Sequence, residues 1–288
     1  IIFDDFGNIK RFSGETIDRL REVGVEVFIF NPVHEYVNRL HFNYRDHRKI
    51  ACIDGDVAYT GGVNIADEYA NIIERFGYWK DSGVCLEGEG AWGLTASFIR
   101  MCVNLGGVMH NEHDYYRPHT PVKSEGFCQP FTDGPQNNPD NPAEDVFLQM
   151  ISGARRFLYI TTPYFIPDES LMRALCIAGD GGVDVRLMLP GKPDHWYADC
   201  VAESYFGELI KHGVKVYRYT PGFLHGKSIM VDREAAFVGS ANMDYRSFEL
   251  DYECGVMVYS VPMIESLLED MDMIVDRSHL VTAEEWAK

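Results

Sequence analysis

The stretch Asn43 to Asn64, NYRDHRKIACIDGDVAYTGGVN, decides how the chain is read, because it is written twice. Its second copy is Gly222 to Asn242, GFLHGKSIMVDREAAFVGSAN. Both follow His-x-Lys-x-x-x-x-Asp, first as His47, Lys49 and Asp54, then as His225, Lys227 and Asp232. In both, an Asn stands seventeen residues after the His, Asn64 and Asn242, just behind a small pair, Gly61-Gly62 or Gly239-Ser240. An internal repeat of this kind sets the architecture before any local reading does.

Working outward, Lys49 to Ile53 and Lys227 to Val231 read as short strands. Residues two apart on a strand share a face, so His47 projects with Lys49, and His225 with Lys227. Asp54 and Asp232 stand at an odd offset at a turn, which points to bracing the hairpin more than to touching a substrate. The repeat extends upstream: Leu209-Ile-Lys-His-Gly213-Val-Lys-Val-Tyr217 echoes Leu20-Arg-Glu-Val-Gly24-Val-Glu-Val-Phe28. Each is a helix end, a glycine cap and a strand, and helix and strand alternate, so an α/β domain is present twice. The second copy has a long approach: a helix over 143–154, a strand over 157–161, a helix over 170–178 and a strand over 183–189. The first copy opens at what reads as the last of these strands. The chain is therefore expected to be a fragment whose first domain lacks a strand and helix at its N-terminal side. The expected division is a partial first domain over 1–105, a connecting loop over 106–140 and a second domain over 141–288. Val261 to Ile274 reads as a closing helix, with Ile264, Leu267, Leu268, Met271 and Ile274 on one stripe. The loop is rich in Gly, Pro, Asn and Asp, and its His110, His113 and His119 lack the acidic or Cys partners of a metal site.

At 288 residues and 46% hydrophobic, the chain can bury one large core or two smaller ones. A formal charge of −18 counts against a nucleic-acid binder, which carries a basic face. No run of about eighteen apolar residues occurs. Seven scattered cysteines without CxxC spacing read as reduced thiols in a cytosolic setting.

A His beside a fixed ammonium suits a phosphoryl centre, where Lys holds anionic oxygens while imidazole attacks or gives a proton. Two copies complete a cycle. One neutral His attacks phosphorus, the other, protonated, releases an alcohol and then serves as base for the incoming acceptor. Such a site calls for no metal and no cofactor. Asn64 and Asn242 can add amide donors to the phosphate oxygens. A third group should orient each imidazole, and Asp81-Ser-Gly-Val-Cys85 aligns with Glu253-Cys-Gly-Val-Met257 to supply an acid in each half. A single His-x-Lys strand could be an ordinary polar surface strand; four reactive positions kept in both halves argue for catalysis.

The doubled motif with its Gly-Gly/Ser-x-Asn sequel resembles the phospholipase D superfamily. AYTGGVNIADEY, YWKDSGVCLEG, ITTPYFIPDESL, LPGKPDH, PGFLHGKSIMVD and VGSANMDYRSFELDYE narrow the resemblance to its bacterial cardiolipin synthases. The resemblance implies two α/β domains related by a pseudo-twofold, with the motifs meeting at one interface. It implies a phosphohistidine intermediate, through which one phosphatidylglycerol gives its phosphatidyl group to a second, with release of glycerol and formation of cardiolipin. By position, His47, Lys49, Asp54, His225, Lys227 and Asp232 form the catalytic motifs. Lys49, Asn64, Lys227 and Asn242 bind phosphate, and Asp81 and Glu253 orient the histidines. The symmetry of the motif does not decide which His attacks; His47 is taken as the nucleophile. A hydrolytic phospholipase D and a non-catalytic lipid-binding protein are the alternatives. The implied partners are phosphatidylglycerol, other phospholipids and a membrane surface, with no nucleic acid. The implied location is the cytoplasmic face of the cytoplasmic membrane, with spanning helices in sequence not present here.

Overall fold

In the first half, β1 (Ile2–Asp4) lies parallel to β2 (Phe28–Phe30), and α1 (Asp5–Asn8) and α2 (Gly14–Glu22) intervene. The Ser13 hydroxyl caps α2 by accepting from the Thr16 amide, and Gly24, at φ 87°, turns the chain out of it. Next come β3 (Arg45–Asp46), the antiparallel hairpin β4 (Ile50–Ile53) and β5 (Val57–Gly61), β6 (Tyr78–Lys80), and β7 (Gly83–Glu87), which pairs with β5. α3 (Trp92–Asn104) covers this small sheet and buries Leu94 against it. These statements come from a computed structural model, which describes residues 1–8, 13–33, 42–109, 117–124, 126–135, 141–259 and 262–286.

The second half opens with β8 (Phe127–Asp133), α4 (Pro142–Gly153), β9 (Phe157–Thr161) and the short β10 (Phe165–Ile166). α5 (Glu169–Asp180), β11 (Asp184–Pro190), α6 (Trp196–Ser204), α7 (Phe206–Lys211) and β12 (Lys215–Tyr219) follow. Then come β13 (Gly222–Leu224), β14 (Ser228–Val231), β15 (Ala235–Gly239), β16 (Met243–Asp244), α8 (Tyr245–Glu249) and β17 (Asp251–Tyr259). α9 (Pro262–Asp276), β18 (Ser278–Leu280) and α10 (Ala283–Trp286) close it. The main sheet runs β18-β12-β11-β9-β14-β15-β17-β3, with β8 also on β17. β9, β11 and β12 are parallel, and β14, β15 and β17 continue the sheet antiparallel.

Period-two alternation explains why this sheet is covered on both faces. Leu158, Ile160, Ile229 and Phe237 face one core with Phe147 and Leu175 of α4 and α5. Tyr159, Met230, Ala236 and Val238 face the other. That second core holds Ile264, Leu267, Leu268, Met271 and Ile274 of α9, the stripe expected of a closing helix, together with Ala58, Val84 and Leu86 of the first-half sheet. The repeat is visible in register: Gly61 faces Gly83 between β5 and β7, and Gly239 faces Gly255 between β15 and β17. The fold is the mixed α/β one expected.

One expectation needs correcting. The stretch read as a connecting loop contains a seven-residue strand, β8, which pairs with β17 from Phe127↔Tyr259 to Asp133↔Glu253. Pro130 disguised it. Among the described residues β8 pairs only with β17, and an edge strand tolerates a residue that cannot donate. His119 is exposed, its backbone N–H donating to Asp56; His110 and His113 lie outside the described residues.

Candidate active site

Two strand pairings between the halves build the site. β13 runs parallel to β6, from Gly222↔Tyr78 to Leu224↔Lys80, and β3 runs parallel to β17, pairing Arg45 with Asp251 and Asp46 with Tyr252. The run-in to each His is thereby laid on the run-in to the other half's acid. The His225 amide donates to the Lys80 carbonyl at 2.7 Å, and the His47 amide to the Tyr252 carbonyl at 2.9 Å. One residue further on stand Asp81 and Glu253. His225 Nδ1 is 2.7 Å from Asp81 Oδ2, and His47 Nδ1 is 2.8 Å from Glu253 Oε1. The sequence placed an acid in each half; the structure pairs them crosswise. A carboxylate on Nδ1 fixes the tautomer and leaves Nε2 as the reacting atom.

The lysines stand where the strand spacing puts them. Lys227 Nζ is 2.9 Å from both ring nitrogens of His225 and donates to the His225 carbonyl at 2.6 Å. Lys49 Nζ donates to the His47 carbonyl at 2.5 Å. Burial, and then the Lys227 charge, push His225 down to about 3 despite Asp81. Burial also lowers His47 and takes Lys227 down to about 7. Burial works against ionisation of Asp81 and Glu253, but hydrogen bonds to their histidines and the nearby lysine charges outweigh it and hold both low. Glu253 is further gripped by the hydroxyls of Ser240 and Ser247. At the place of Ser240 the first half has Gly62, where a Cβ would lie 2.2 Å from Asp81 Oδ1 and 2.9 Å from the His225 carbonyl oxygen.

Asn64 donates to the Tyr69 hydroxyl at 2.6 Å, and Tyr69 stands edge-on to His225 with ring centres 5.1 Å apart. Asn242 is buried with its Oδ1 unpartnered, and its backbone N–H donates to Ser247. Asp54 and Asp232, grouped with the catalytic motifs by resemblance, do not join the site. Both occupy left-handed turns, at φ 53° and 54°. Asp232 accepts from the amides of Arg155, Arg156 and Phe157 at 2.8, 2.9 and 2.8 Å. It lies across the length of β14 from His225, roughly 13 Å of strand or more. Asp232→Ala should therefore cost about 2–4 kcal/mol of stability, since it removes three part-buried hydrogen bonds to one buried carboxylate. Denaturant unfolding checks this; a loss below about 1 kcal/mol would refute the bracing role.

Sequence reasoning missed the aromatic cage of His225. Trp79 and Phe223 pack against each other, tilted, with ring centres 4.5 Å apart, and lie 5.4 and 5.8 Å from the imidazole. Their signal was available: each precedes Asp81 or His225 by two residues, the strand period. It also missed two buried acids near the motifs, Asp251 and Asp244, which burial raises to about 8 and about 6. Among the described residues, two groups, His47 with Asp251 and Glu253, and Cys176 with Glu208 and His212, bring metal-ligand atoms within 4.8 Å of one another. In both, the imidazole is already bound by carboxylates.

Comparison with known proteins gives a family match over part of the chain and relatives along nearly all of it. Residues 147–275 match the family described as cardiolipin synthase, PLD-like domain. The chain is 38% identical to the major cardiolipin synthase of Bacillus subtilis over 283 residues, 96% of this chain and 58% of that protein. It is 38% identical to a cardiolipin synthase of Halalkalibacterium halodurans, over 99% of this chain and 56% of that one. An uncharacterised protein of Streptococcus mutans is 36% identical, over 98% and 61%. The chain thus spans a little over half the length of these relatives. A phosphatidylserine synthase structure from Haemophilus influenzae shares the fold, with a TM-score of 0.69 over 94% of this chain and 70% of that one, at 15% identity.

Proposed function

We propose that the protein transfers a phosphatidyl group between phosphatidylglycerols, forming cardiolipin and releasing glycerol through a phosphohistidine. The observation that carries this reading is the crossing of two His–acid pairs, each beside a lysine, in one site. Similarity to proteins named cardiolipin synthase supports the choice of lipid. His47 Nε2 attacks phosphorus, and His225 gives its proton to the departing glycerol oxygen. His225 then takes the proton of the acceptor hydroxyl, whose oxygen displaces His47. Lys49, Lys227, Asn64 and Asn242 hold the phosphate oxygens. The His47 side chain is 27% exposed and that of His225 6%, which favours His47 as the group that meets substrate first. Among the described residues no helix is long and apolar enough to cross a membrane; the substrates themselves place the reaction at the cytoplasmic membrane. Incubating the full gene product with phosphatidylglycerol should give cardiolipin and free glycerol. Phosphatidic acid as sole product would support a hydrolytic phospholipase D instead.

Two further outcomes follow from the geometry. Gly62→Ala should push Asp81 off His225 and lower turnover about 10²-fold, the cost of a misplacement near 1 Å. Turnover within threefold of wild type would show that the site absorbs the methyl group. The second concerns pH. Lys227 is lowered to about 7, so its ammonium is present below that pH and lost above it. A bound phosphodiester anion favours the ammonium, so binding takes up a proton. Affinity for a non-reacting phosphonate analogue of phosphatidylglycerol should fall by up to about tenfold per pH unit above 7. Calorimetry in two buffers of different ionisation enthalpy reads the uptake; identical heats in both contradict it.

A further inference from the structure

Two sequence blocks are left without a role by this chemistry, ITTPYFIPDESL (Ile160–Leu171) and LPGKPDH (Leu189–His195). The fold brings them together. They leave the C-terminal ends of the adjacent parallel strands β9 and β11, the end of an α/β sheet at which ligands bind. There the Tyr164 hydroxyl donates to Asp194 Oδ2 at 2.7 Å, while Asp194 Oδ1 is buried without a hydrogen-bond partner. A small cleft lies between them and is also lined by Pro193, His195 and Phe223.

This cleft adjoins the reacting centre. Phe223 faces Tyr164 at 6.4 Å and His225 at 5.8 Å between ring centres. Burial and the Asp194 charge raise the Tyr164 pKa, keeping its proton on, and Tyr69 and Asp244 lie near enough to raise it further. Tyr69 is the ring that stands edge-on to His225.

We propose that Tyr164 and Asp194 form the headgroup subsite, binding the free hydroxyls of a polyol joined to the reacting phosphate. The proposal rests on the transfer reaction above. A buried carboxylate oxygen with no donor is costly, and a polyol hydroxyl relieves that cost. His195 Nε2 stands 3.7 Å from Asp194 Oδ2 at the mouth of the cleft. A hydroxyl can donate to Asp194 and accept from His195, whereas an ammonium can only donate. The leaving and entering alcohols of a double displacement use the same side of phosphorus. One subsite therefore serves both half-reactions, gripping glycerol as it leaves and the glycerol headgroup of the acceptor as it enters.

The test is a competition on the full gene product. With phosphatidylglycerol as donor, labelled glycerol, 1-propanol and ethanolamine compete for the phosphatidyl group, and the product ratios are read. Wild type should favour glycerol. In Asp194→Ala the preference for glycerol over 1-propanol should fall about tenfold or more, the worth of a hydrogen bond to a charged group. Tyr164→Phe should shift it the same way. The loss of rate with phosphatidylglycerol should exceed that with phosphatidyl-p-nitrophenol, which carries no hydroxyl in its leaving group, by a similar factor. An unchanged alcohol ratio, or equal losses with both donors, would overturn the subsite. A wild-type preference for ethanolamine would overturn its polyol character. Wild type that transfers to no alcohol refutes the transfer reaction and the subsite with it.

Discussion

His47→Ala should abolish both cardiolipin formation and the covalent adduct, with kcat falling about 10⁴-fold or more, as when a nucleophile–base unit is broken. His225→Ala should behave differently. It cannot protonate a glycerol alkoxide, yet His47 can still displace a leaving group that needs no proton, so phosphatidyl-p-nitrophenol should label the protein and then stall. A radiolabelled donor, quenched in alkali because a phosphorus–nitrogen bond is acid-labile, reads the adduct directly. An adduct kept in His47→Ala and lost in His225→Ala would reverse the two roles. Transfer without any adduct would end the covalent mechanism. Burial and its Lys227 neighbour keep His225 neutral in the free site. On the proposed cycle a substrate phosphate that offsets Lys227 would let His225 take up its proton, and only then could it act as acid.

The second large effect lies in the acids. Glu253→Gln retains hydrogen bonding to Ser240 and Ser247 but loses the charge that holds His47 in its tautomer. By analogy with the serine-protease triad, kcat should fall on the order of 10³–10⁴-fold with the fold intact. The phenotypes should also cross over. Asp81→Asn, a change in the first half, should copy His225→Ala and still form an adduct from the activated donor. Glu253→Gln, in the second half, should copy His47→Ala. If each acid variant instead matched the histidine of its own half, the pairing seen here would be refuted. Thermal unfolding separates these effects from loss of structure.

The doubled motif made the α/β repeat legible, because strand and helix periods are local. The odd offset of Asp54 and Asp232 already pointed to turns, and left-handed backbone at both positions agrees. The crossing of the acids was not legible. His47 and Glu253 lie 206 residues apart and His225 and Asp81 lie 144 apart, and their meeting depends on two short parallel pairings that leave no periodic trace. β8 was hidden for a different reason: a proline reads as a loop until its edge position is known.

The crosswise pairing has a consequence for descent. In a duplicated gene each copy is ordinarily free to drift while the other preserves the trait. On the proposed cycle a substitution at Asp81 would disarm His225 and one at Glu253 would disarm His47, so neither copy could shelter the other from selection. The two halves are inherited as one character, and severing or swapping either against a foreign half breaks two partnerships at once.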